Sequence, residues 1–214
     1  MTMFIDFILV LVLLTNLKLL GSSRLGACIR VAAIQGMLLG ILPWWAHGHP
    51  AAFRVLGVTV GTVILKGVVF PWLLFRALRE AEVSREVEPF VGYVPSLLFG
   101  LGGLATAFWL STRLPLTSAV HSSLLVPAAL FGIFAGLFLI ISRKRAVNQV
   151  LGFLVLENGV FTFGAGVIGE TSLLVEVGVL LDVFVAVFVM GIMIFHINRE
   201  FDHIDTDRLS SLKD

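Results

Sequence analysis

Apolar runs of about twenty residues recur along almost the whole chain, and this feature limits the fold more than any other. At a rise of ~1.5 Å per residue, a helix of that length crosses the ~30 Å hydrocarbon core of a bilayer. In lipid, each backbone N–H and C=O must be satisfied within the segment, so the runs read as helices whatever their periodicity. Seven spans are expected, at Met3–Leu20, Ala27–Ala46, Ala51–Leu78, Tyr93–Ser111, Ala119–Ile141, Ala146–Ile168 and Leu173–Ile197. The fold class is all-α, a polytopic integral membrane protein, and the short loops leave no room for an extramembrane domain. The third run is too long to stand upright and must tilt or extend past the headgroups. Composition agrees: 58% of residues are hydrophobic and 14% charged, against about a quarter charged in soluble domains.

The basic residues give an independent reading of topology. Threaded through seven spans, twelve of the 15 Lys and Arg fall on one side, among them Arg76, Arg79 and Arg143–Arg145. Arg54 and Arg113 fall on the other side, and Lys66 lies inside a span. Positive-inside bias then places the N-terminus outside and the C-terminus in the cytoplasm. Trp44, Trp45 and Trp109 fall at outer span ends, with Trp72 and Tyr93 toward inner ones, as interfacial anchors do. Asp6 and the absence of a basic leading segment argue against a cleavable signal. The lone Cys28 excludes an internal disulfide or a CxxC metal site. The pairs Gly36/Gly40, Gly57/Gly61 and Gly132/Gly136 permit close helix approach. Arg79–Glu88 (REAEVSREVE) reads as a mixed-charge connector.

Charged side chains deep in a span cost at least ~2.5–3.5 kcal/mol on insertion scales, so each needs a reason. Asp6, Lys18 and Arg30 lie near span boundaries, where snorkelling suffices. Four residues remain: Lys66, Glu157, Glu176 and Asp182. Glu157 lies near the middle of the sixth span and Asp182 at similar depth in the seventh, an arrangement suited to a proton relay or cation site. The blander reading is a protonated acid bonded to a neighbour. Glu176 is a secondary candidate nearer the outer boundary, and Lys66 is either the ion-pair partner of a membrane acid or itself a proton carrier. The histidines sit at span ends or in loops, which excludes a bis-histidine haem site. No phosphate loop, nucleophile elbow or clustered metal-ligand spacing is present.

Three segments carry a resemblance: Gly152–Gly159 (GFLVLENG), Leu174–Met190 (LVEVGVLLDVFVAVFVM) and Asp207–Lys213 (DRLSSLK). Together they resemble the hydrogenase-4 component E family, membrane subunits of group 4 energy-converting [NiFe] hydrogenases and formate hydrogenlyases. The C-terminal half is similar to the small three-helix K-type subunit of respiratory complex I. The resemblance divides the chain into a four-helix part (1–116) and a K-like module (117–214). It matches Glu157 and Asp182 to acids of a central polar axis, although Asp182 stands where the complex I subunit has glutamate. What it implies is a subunit of a proton-translocating oxidoreductase complex, non-catalytic by itself, in the cytoplasmic membrane of a prokaryote. No cofactor belongs to this chain. A [NiFe] centre and iron–sulfur clusters are expected in partner subunits, and the partners are antiporter-like and quinone-channel-like membrane subunits and a hydrophilic arm, with no nucleic acid. Two rival readings are a transporter, either stand-alone or as a subunit of a multisubunit cation/proton antiporter, and a structural spacer without conduction.

Overall fold

The computed structural model describes residues 2–46, 53–80, 89–114 and 122–167, together with Gly191. The described elements are helical: α1 (Thr2–Leu20), α2 (Leu25–Ala46), α3 (Phe53–Ile64), α4 (Phe70–Glu80), α5 (Tyr93–Ser111), α6 (Leu125–Ser142) and α7 (Ala146–Val167). A π-helical turn, Leu65–Val69, joins α3 to α4, so the two form one continuous rod. Among the described residues, four stretches are long and apolar enough to cross a membrane: Met3–Leu20, Thr59–Arg79, Tyr93–Ser111 and Leu125–Ser142. The seventh expected span, with Glu176 and Asp182, lies outside the described residues apart from Gly191, as does most of the Arg79–Glu88 connector.

The third run is the long rod from Phe53 to Glu80, which at ~1.5 Å per residue measures roughly 40 Å. Its wide turn has a local cause in Pro71. Proline has no N–H to give the carbonyl four residues back, and its ring crowds that carbonyl. Immediately before it the ladder switches register, and the Phe70 N–H bonds to Leu65 O. The fifth run begins as a helix only at Leu125, later than hydropathy suggests, because Ser122 turns the chain. Its carbonyl accepts the Leu125 N–H at 3.2 Å, and its Oγ accepts the Leu124 N–H at 3.1 Å.

Two sets of contacts fix the relative direction of the helices. At one end of the bundle, Arg143 donates from Nη2 to Leu20 O at 2.6 Å, and its guanidinium lies 4.6 Å from the Tyr93 ring centre. The Phe90 N–H bonds to Ser142 O at 3.0 Å. The C-termini of α1 and α6 and the N-terminus of α5 therefore share this end. At the other, Ser122 Oγ donates to the Asp6 carboxylate, tying the start of α1 to the start of α6. Arg143 reads from sequence as a loop charge, yet it is 1% exposed. It satisfies one of the carbonyls that the last turn of α1 leaves without an intrahelical donor.

α6 and α7 pack backbone to backbone. A Cβ on Gly159 would stand 2.6 Å from Ile133 N, and one on Gly152 would stand 2.9 Å from Gly136 O. The Gly132/Gly136 pair thus serves close packing within the chain. So does Gly36/Gly40, whose stripe on α2 receives Val63 and Lys66. Gly61 meets nothing within 4 Å. Outside this core, large apolar side chains such as Phe7, Leu98 and Ile141 are exposed. Such an inverted surface suits hydrocarbon rather than water.

Candidate functional site

The centre of the bundle is polar. Lys66 leaves the π turn where α2 offers no side chain: a Cβ on Gly36 would lie 2.8 Å from Lys66 Cβ. Gly67, next in the turn, lies equally close to Met37. The lysine backbone is thereby pressed against α2, and its side chain reaches across to α7. There Nζ lies 2.6 Å from Glu157 Oε1, with the two side chains 7% and 1% exposed. Nζ also donates to Asn158 Oδ1 at 3.0 Å and lies 5.7 Å from the Phe161 ring centre. An ammonium so placed has a carboxylate, an amide oxygen and an aromatic face, three features that favour a cation.

Glu157 is held at this depth by the glycine-lined contact of α7 with α6. Gly152 lies five residues before it and Gly159 two residues after it. The polar cluster continues beyond the ion pair. Asn158 Nδ2 donates to Gln35 Oε1 at 3.4 Å, and Gln35 Nε2 donates to Asn16 Oδ1 at 2.8 Å. Thr162 Oγ1 donates to Asn158 O at 2.7 Å, one turn along α7. Asn16, Gln35, Asn158 and Thr162 are all buried. Beside Lys66, a cavity of about 10 Å³ is bounded by Ile29 and Ala33 of α2, Phe70 and Leu74 of α4, and Leu154 and Asn158 of α7. That is room for roughly one water molecule.

Of the residues singled out by sequence, the fold brings Lys66 and Glu157 together, although they are far apart in the chain. Asp182 and Glu176 fall outside the described residues. Three amides, Asn16, Gln35 and Asn158, escape a search for charges because they carry none. The available signal was an Asn or Gln inside a largely apolar run, as in LLTNLKLL and AAIQGMLL. Among the described residues, no group of three or more His, Cys, Asp or Glu side chains could hold a metal ion.

These features define an all-helical membrane protein with a buried, charged and amide-rich centre. No protein-family model matches the chain, and no solved structure matches it. It is 32% identical over 211 residues to the uncharacterized protein Rv0085 of Mycobacterium tuberculosis, covering 98% of this chain and 96% of that protein. The chain belongs to the same family as that protein. It is also 28% identical over 165 residues to hydrogenase-4 component E of Escherichia coli K12, covering 76% of each. The component of that name in Shigella flexneri matches to the same extent. The relationship to hydrogenase-4 component E is a distant one.

Proposed function

We propose that this chain is a membrane subunit of a hydrogenase-type respiratory complex and that its buried Lys66–Glu157 pair forms part of a path for protons or cations. The observation that carries the reading is the ion pair itself, 2.6 Å long and almost fully buried. A scaffold has no use for it: apolar side chains of similar volume often hold a core together as well or better than a buried ion pair. Charged residues at membrane depth are rare and mark ion pathways and proton relays. The distant similarity to hydrogenase-4 component E supports placing the chain within a multisubunit complex.

In this reading Glu157 and Asp182 are successive proton stations, Lys66 sets whether Glu157 carries a charge, and Glu176 stands nearer the mouth. The energy scale is adequate, since moving one charge across the membrane is worth ~2.3 kcal/mol per 100 mV. Electron-transfer chemistry, with its [NiFe] centre and iron–sulfur clusters, belongs to a hydrophilic arm, and antiporter-like and quinone-channel-like subunits flank this chain. The same proposal holds seven spans, an outside N-terminus, a K-like module at 117–214 and residence in the cytoplasmic membrane.

The test replaces Glu157→Gln, Lys66→Met and Asp182→Asn in the host membrane. Native gels should show an intact complex, while proton translocation into inverted vesicles falls about tenfold or more in each. Unchanged translocation in all three and in the Glu157/Asp182 double variant would leave only a spacer role.

A further inference from the structure

The hydrogen bonds that lead away from Lys66 all run one way. A lysine ammonium has three donors and no acceptor, so Asn158 must turn its oxygen toward Nζ. Its amino group is then obliged to donate onward to Gln35 Oε1, and Gln35 in turn to Asn16 Oδ1. The last donor, Asn16 Nδ2, is buried and has no hydrogen-bond partner among the described residues. It ends the chain against α6, 3.6 Å from where a Cβ on Gly132 would stand. Three amides thus point their oxygens toward the cation, and the surplus donor is pushed to the far end of the row. Aligned amides polarise one another in a low-dielectric interior, and here every amide oxygen in the row faces the Nζ end.

The geometry assigns Asn158, Gln35 and Asn16 as positioning residues for Lys66: a one-way amide chain that turns its oxygens toward Nζ, fixes where the ammonium sits and carries no proton itself. This deepens, and rests on, the reading of the Lys66–Glu157 pair as a working element. An amide nitrogen is not basic, so a proton cannot hop along the row as it does along water or carboxylates. The α1–α2 side of the pair is therefore an electrostatic clamp. The water-sized cavity beside Phe70 and Leu74 is lined by Lys66 and Asn158, at the lysine end of the row.

The chain can be read directly at its middle. Gln35 is one of only two glutamines in the sequence, the other being Gln149. The full-length protein, labelled with ¹⁵N-glutamine in nanodiscs, gives two side-chain amide signals. Lys66→Met is expected to move the Gln35 signal, two hydrogen bonds away, and to leave that of Gln149 in place. In inverted vesicles, Gln35→Met is expected to lower translocation about threefold or more in the wild-type background and to add nothing in Lys66→Met. A Gln35 signal indifferent to Lys66→Met would overturn the chain. So would a Gln35→Met defect of equal size in both backgrounds, or no defect in the wild type. If Lys66→Met leaves translocation untouched, the functional reading of the pair fails, while the amide signal still decides whether the chain senses the lysine.

Discussion

Lys66 Nζ and Glu157 Oε1 meet at 2.6 Å across the interface of the long rod and α7, both nearly inaccessible. Two glycine contacts make the meeting geometrically feasible. Gly36 lets the lysine backbone press against α2, and Gly152 and Gly159 let α7 seat deeply on α6. The pair's energetics follow from burial, since either partner left alone is an uncompensated charge in a poor solvent for ions.

Single removal of either charge should therefore cost more than removal of both. Lys66→Met or Glu157→Gln alone is expected to destabilise the detergent-solubilised protein, by up to ~3–5 kcal/mol where the orphaned group stays charged. The double variant should recover at least half of the larger loss. Thermal unfolding of the four proteins forms a double-mutant cycle. Simple additivity would show that the two groups do not interact in solution.

The seam between α6 and α7 should tolerate no side chain. Gly159→Ala places a methyl group 2.6 Å from a backbone nitrogen of α6, and overpacking of that kind costs ~1–3 kcal/mol. Gly61→Ala, where nothing lies within 4 Å, is the matched control and should be neutral or slightly stabilising. Melting temperatures of the two variants check this; equal shifts would mean that the seam is not the tight contact described.

Arg143 should matter more than its place between two helices implies. Arg143→Lys keeps the charge but loses the planar group that donates to Leu20 O while lying over Tyr93. A loss of ~1.5–3 kcal/mol is expected, the worth of a hydrogen bond to a charged group. Arg30→Lys changes an exposed residue bonded to its own helix and should stay within ~0.5 kcal/mol. Chemical denaturation in mixed micelles compares them.

For topology, Glu170→Cys and Lys144→Cys in a Cys28→Ser background should behave oppositely toward a membrane-impermeant maleimide. Labelling of position 170 in intact cells and of position 144 only after permeabilisation is the expected pattern. The reverse pattern would invert the orientation, and equal labelling of both from outside would remove the span between them.

Much of this architecture is legible in the sequence because lipid imposes a length rule that amino-acid order cannot evade. α5 is read to the residue as Tyr93–Ser111, and α1, α2 and α7 to within about two residues. Lys66 and Glu157 stand out because charge is conspicuous in an apolar run. Their pairing does not, since it depends on which glycine faces which helix, a three-dimensional fact. Arg143 is misread for the converse reason: in RKR it resembles a solvated loop, and only the fold shows that it points inward. The amides are passed over because the search is for charge, and they carry none. The wide turn had a local sign in Pro71, set inside a run otherwise fit to be one helix.

That wide turn sets the phase of everything after it. On a regular α-helix, a stripe of residues spaced by four drifts about 40° around the axis at each step. Along this rod Val60, Ile64, Val68 and Trp72 all remain exposed, while Lys66, Phe70 and Leu74 remain buried. The π turn, with its larger number of residues per revolution, absorbs the drift. Winding the same five residues, Leu65–Val69, as ordinary α-helix would instead rotate α4 by roughly a quarter turn against α3. Phe70 and Leu74 would swing away from the core although no contact residue had been substituted. The wide turn between Lys66 and Pro71 thus works as an angular setting, fixed by the winding of the backbone rather than by any one contact.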